Sequence, residues 1–231
     1  MADASRESER HARERDDAWK ALSEAPSGTV VLFSGAAVVS RLIELVTLSP
    51  WSHVGLVLRL ADGRAMLLES TREDDELLDE LSMRHLGDGV RLVAVSEYAR
   101  KHPFKRFALR YRCPRLAGTR ELVLRCAREF ASVPYERRMS QLLKSGYDGP
   151  GGLSERDLSS IFCSELVAEI LIREGLLPWR EPSSEYTPAD FAPGGKVDAL
   201  RAAHAGCCMS DLGARRDAHE RSAVRKNKKH K

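Results

Sequence analysis

Ser159-Ser160-Ile161-Phe162-Cys163-Ser164-Glu165-Leu166-Val167-Ala168 reads as the start of a helix with a cysteine in its first turn. Leu166, Val167, Ile170 and Leu171 recur at helical spacing after it. Gly175 and Pro178 supply a C-terminal stop, and Ser159 or Ser160 can cap the first turn. A thiol in that turn faces the positive end of the helix dipole, which favours thiolate. A nucleophile also needs a base, which this segment does not supply, and a buried structural cysteine fits the same residues.

Working outward, an apolar, β-branched chain surrounds this helix. Thr29–Phe33 predicts a buried strand, and Val39, Leu42, Ile43 and Val46 predict an amphipathic helix ending near Ser49-Pro50. His53–Leu58 and Ala65–Glu69 predict two strands joined through Ala61-Asp62-Gly63, a tight-turn signal. Val90–Val95 and Phe107–Tyr111 predict a fourth and a fifth strand, and Thr119–Ala131 a helix with Leu122, Val123, Cys126, Ala127 and Phe130 on one face. Residues 134–153 are polar and glycine-rich, which predicts a functional loop. The turn Tyr186-Thr187-Pro188-Ala189-Asp190-Phe191 is expected to pack back on the domain.

The ends differ from this middle. Residues 1–25 are dense in Arg, Glu, Asp and Ala and predict a solvated, weakly docked helix, with Trp19 and Leu22 as its docking stripe. The formal charge is +3, but residues 211–231 hold eight Lys/Arg and three Asp/Glu, net +5, so the remainder is net −2. The fold itself thus gives no electrostatic sign of nucleic acid. We expect a charged extension over 1–25, one domain over 26–200 and a disordered basic tail over 201–231. No uninterrupted apolar run crosses a bilayer, and the N-terminus lacks the apolar region of a secretory signal, so an intracellular setting is expected. Five cysteines (Cys113, Cys126, Cys163, Cys207, Cys208) in no framework spacing predict free thiols in a reducing compartment.

Of seven histidines, only His53 opens a strongly apolar strand, where an imidazole must be satisfied or sit at the sheet's end. Glu69 ends the apolar run on the next strand. A hairpin symmetric about Asp62 puts His53 opposite Thr71 and makes Glu69 its diagonal neighbour on the same face, about 7–8 Å away between backbones. Each residue taken alone also fits a plain strand-end position.

Four blocks carry a resemblance: Pro50-Trp51-Ser52-His53-Val54-Gly55, Leu68-Glu69-Ser70-Thr71, Phe162-Cys163-Ser164-Glu165-Leu166-Val167 and Thr187-Pro188-Ala189-Asp190-Phe191. In this order they resemble the permuted papain-like amidase family, the YaeF/YiiX group, a circularly permuted branch of the NlpC-type cysteine hydrolases. The resemblance spans about residues 26–192. It implies an α+β, permuted papain-like fold: a small antiparallel sheet or barrel packed on the helix that carries the cysteine. It further implies Cys163 as nucleophile, His53 as general base and Glu69 as the group orienting the imidazole. The chain has Trp51 where that family often has tyrosine, and Tyr135 is the alternative hydroxyl.

The expected activity is hydrolysis of an amide, ester or thioester through an acyl-enzyme, with no cofactor and no metal. The expected substrate is a small peptide-like or lipid-like acyl compound, with a lipid acyl hydrolase or acyltransferase as the alternative activity. Three rivals remain: a catalytically silent binding module on the same fold, a metal site at His204, Cys207 and Cys208, and targeting through Arg225-Lys226-Asn227-Lys228-Lys229-His230-Lys231. The last would give weak contact with nucleic acid or an anionic membrane.

Overall fold

In the computed structural model, which describes residues 2–35, 38–72, 76–85, 89–103, 105–112, 120–131, 162–203 and 210–211, the β-branched run after Gly28 forms strand β1 (Thr29–Ser34). Helix α2 (Val38–Val46) follows, then β2 (His53–Arg59) and β3 (Ala65–Thr71). A two-residue hairpin, β4 (Leu78–Asp79) and β5 (Arg84–His85), leads to β6 (Gly89–Ala94), helix α3 (Val95–Lys101) and β7 (Arg106–Arg112). Helix α4 (Arg120–Phe130), the cysteine helix α5 (Cys163–Arg173), helix α6 (Lys196–Ala203) and β8 (Ser210–Asp211) complete the described elements, with α1 (Ala2–Ser23) before them all. The expected loop over 134–153 with Tyr135, the capping serines Ser159 and Ser160, the His204/Cys207/Cys208 group and the basic tail beyond Asp211 lie outside the described residues.

The main sheet is antiparallel throughout, in the order β6-β3-β2-β1-β7-β8, so the fold is α+β. Strand alternation divides its side chains between two cores. Val30, Leu32, Val54, Leu56, Leu58, Met66, Leu68, Val90 and Leu92 face one side, where α4 and α5 cover them. Val31, Phe33, Val57, Leu67 and Val93 face the other, against Trp19 and Leu22 of α1 and Val95 and Tyr98 of α3. The hairpin register is the one counted from Asp62: Leu56 faces Leu68 and Arg59 faces Ala65. Gly63 takes φ 85° in that turn, a conformation open to glycine without strain.

The cysteine helix is buried nearly all round, from Cys163 to Ile172. Each fully buried Leu or Ile there contributes about 1.5–3 kcal/mol. Its C-terminus closes as read: Gly175, at φ 67°, donates to Ile172 O at 2.9 Å and Leu176 donates to Leu171 O at 2.8 Å, a Schellman pair. The N-terminal cap position is Phe162 instead of Ser159 or Ser160; its backbone N–H donates to Glu165 Oε2 at 3.2 Å, so a first-turn carboxylate holds the cap residue's own amide.

Two further readings are corrected. Val95 starts α3 instead of ending the fourth strand. Val46, placed in the inward stripe of α2, is 37% exposed, while Ile43 is buried. The N-terminal helix docks through its last turn on the expected pair: Leu22 is fully buried, and Trp19 Nε1 donates to Pro103 O at 3.2 Å.

Candidate active site

His53 is the first residue of β2, Glu69 lies near the end of β3 and Cys163 is the first residue of α5. His53 Nε2 lies 2.7 Å from Glu69 Oε2, and Cys163 is near enough to the ring for its charge to act on it. Against an ionised carboxylate Nε2 carries a proton. By strand alternation His53 shares the side of Phe33, its cross-strand neighbour, while α5 covers the opposite side. The ring and the thiol therefore meet where β2 and α5 begin, at the sheet's rim.

Glu69 is fully buried, as is a residue that sequence reasoning missed. Arg91 pairs with Glu69 across β3 and β6, and its Nε and Nη2 donate to Glu69 Oε1 at 3.0 and 2.8 Å. Each carboxylate oxygen thus has its own cationic partner. A signal was present: Arg91 interrupts the apolar run Val90-Arg91-Leu92-Val93, as Glu69 ends its own. A charged residue in such a strand implies a buried partner.

The electrostatics follow from this chain. Burial pushes the Glu69 carboxyl up, but the Arg91 charge, the His53 hydrogen bond and charge, and Lys105 outweigh it and hold it at about 2. Burial pulls the His53 imidazole down, but the charge and hydrogen bond of Cys163, then those of Glu69, raise it to about 10. Both neighbours thus favour the charged form of the ring over the neutral one.

Small residues shape the approach. A Cβ on Gly55, which the hairpin count puts opposite Glu69, would lie 2.8 Å from Leu67 Cδ1 and 3.1 Å from Leu68 O. Ser52, just before the histidine, accepts from Gly35 N–H at 2.9 Å and donates its own N–H to Phe33 O at 3.0 Å, which fixes where β2 starts. Trp51 is half-buried against the core under α5. The other described cysteine, Cys126, is a buried thiol pushed up by desolvation, 3.7 Å from Arg173 Nη1. His85 instead contacts Glu76 O at 2.6 Å, and the His102 ring lies tilted against that of Tyr98, 4.7 Å between centroids. Among the described residues, no group of three or more His, Cys, Asp or Glu is placed to hold a metal ion.

No protein-family model matches the sequence, and no curated protein matches it. Among solved structures, the chain is similar to the metalloprotein yiiX from Escherichia coli O157:H7, a DUF1105 protein, with a TM-score of 0.44 and 13% identity. The alignment covers 65% of this chain and 66% of that one, so this chain spans just under two thirds of that structure.

Proposed function

We propose that this protein is a cysteine hydrolase of the permuted papain-like, NlpC type, cleaving an amide, ester or thioester through an acyl-enzyme on Cys163. The observation that supports this reading is the chain from His53 through Glu69 to Arg91, with Cys163 acting electrostatically on the same ring. A nucleophile, a base and a group fixing the base's tautomer are what acyl transfer to a thiol requires.

In the proposed cycle the Cys163 proton rests on His53 Nδ1, giving a thiolate beside an imidazolium. The sulfur attacks the substrate carbonyl carbon, and the backbone N–H groups of the first turn of α5 stabilise the oxyanion. Collapse breaks the bond to the leaving group, which takes the proton from the imidazolium. Water then gives a proton to the neutral imidazole and attacks the thioester, and collapse breaks the carbon–sulfur bond, releasing the acid and restoring the thiolate beside the imidazolium. Glu69 keeps Nε2–H in place throughout, and Arg91 keeps Glu69 ionised.

Screening acyl nitrophenyl esters, thioesters and acyl-amino-acid amides against the protein and its Cys163→Ala variant tests the reading. Turnover should fall roughly a million-fold with the circular dichroism spectrum unchanged. Full activity in Cys163→Ala overturns the assignment, as does alkylation of Cys163 by iodoacetamide no faster than that of Cys207.

A further inference from the structure

Residues 45–52 reverse the usual sorting of side chains. Leu45 and Leu48 are 70% and 90% exposed, and Val46 is exposed with them. The polar residues between turn inward: Thr47 Oγ1 donates to Ile43 O at 2.7 Å, Ser49 Oγ accepts from Trp51 N–H at 3.3 Å, and Ser49 and Ser52 are buried. Leu48 also holds φ 49°, in the left-handed region that costs a side-chain-bearing residue roughly 1–2 kcal/mol. Water offers no return for holding a leucine out at that expense.

The most exposed charges at this rim are basic. Arg41 of α2 is exposed, and so is Arg106, opposite Ser34 in the β1/β7 register. Glu44, the acidic residue of α2, is mostly buried, accepts from Ser34 Oγ at 3.0 Å and lies 3.8 Å from the Arg41 guanidinium. Residues 211–231 add a net +5 to the same chain. Exposed apolar side chains backed by basic ones fit an anionic lipid surface, with the leucines among acyl chains and the guanidinium groups at the phosphates. A second copy fits less well, because three side chains at the end of a short helix fall far below the ~800 Å² per partner of a stable interface.

We propose that Leu45, Val46 and Leu48 form a lipid-docking rim that inserts into an anionic bilayer. Leu48 lies five residues before His53 in the chain, so docking holds His53 within about 18 Å of the inserted leucine. The docking stands by itself. Only the corollary that the acyl group taken by Cys163 comes from a lipid rests on the hydrolase reading.

Flotation of the full chain carrying Cys163→Ala, with phosphatidylcholine vesicles containing or lacking phosphatidylglycerol, tests docking apart from turnover. We expect binding to the anionic vesicles that weakens with salt. Leu45→Asp with Leu48→Asp should lower the partition coefficient at least about tenfold, and the uncharged Leu45→Ser with Leu48→Ser pair should lower it similarly. Met83→Asp, at an exposed apolar residue in the β4–β5 hairpin, should leave it unchanged. The proposal fails if the parent stays in solution with both vesicle types or if both double variants float as the parent does. It also fails if they convert a dimer to a monomer in solution. Failure of the hydrolase reading would appear separately, as absent turnover with Cys163 intact.

Discussion

Arg91 and Arg110 are both buried arginines that reach from a strand to a carboxylate, yet they end on different chemistry. Arg110 Nη2 donates to Asp198 Oδ2 at 3.1 Å and Nε to Phe191 O at 3.1 Å. Tyr111 Oη donates to Asp198 Oδ1 at 2.7 Å, and Gly194 N–H to Oδ2 at 2.8 Å. Burial, then the Asp198 hydrogen bond, push the Tyr111 phenol above its ordinary value, so this network has no proton to exchange near neutrality. It ties β7 to the turn at Pro188–Phe191 and to α6. Arg91 makes the same kind of pair, but the second oxygen of Glu69 meets an imidazole on which Cys163 also acts. On the proposed reading, an arginine–carboxylate pair is architecture or part of a reaction centre according to what its far oxygen touches.

Glu69→Gln breaks this comparison most directly. On any acyl substrate that Cys163 turns over, kcat should fall about 10²–10⁴-fold, because an amide can present a donor to Nε2 and unsettle the tautomer. Asp198→Asn should change kcat by less than about twofold. Equal losses in steady-state assays would erase the distinction.

Arg91→Met strands a fully buried carboxylate and should cost about 3–5 kcal/mol in urea unfolding. In the Glu69→Gln background the same substitution should cost much less, since no buried charge is left behind, and additive losses would argue against direct pairing.

The pH dependence of stability sharpens the contrast further. His53 is raised on folding, so its contribution is fully present below about 6.5 and is lost as pH climbs through about 10. Glu69 is depressed, so its contribution is fully present above about 4.5 and is lost as pH falls through about 2. These two groups therefore add most between about pH 4.5 and 6.5. Arg91→Met should shrink the acid limb, and Asp198→Asn should leave both limbs in place. Asp198→Asn should still lower stability by about 1–3 kcal/mol, the smallest effect in the series. Urea midpoints across pH check all three outcomes.

Much of the site was legible because it rests on local rules. A polar residue at each end of an apolar run marked His53 and Glu69, and a helix start marked Cys163. The cap position at Phe162 was not legible, because phenylalanine has no capping side chain and the bond made there is its backbone N–H to Glu165, three residues on. The burial of Val46 was misread because helical periodicity defines an apolar stripe but not how much of it the sheet can cover.

The sequence alone determined the five longer strands, the cysteine helix with its glycine stop, and the β2/β3 register, since a tight turn at Asp62-Gly63 transmits its geometry along both strands. Tertiary structure decided the rest. The pairing of β3 with β6 put Arg91 beside Glu69, and the packing of α5 on the sheet set the Cys163 thiol against the His53 ring. These partners lie far apart in the chain, and their meeting is fixed by how buried faces fit together, which residue spacing does not encode.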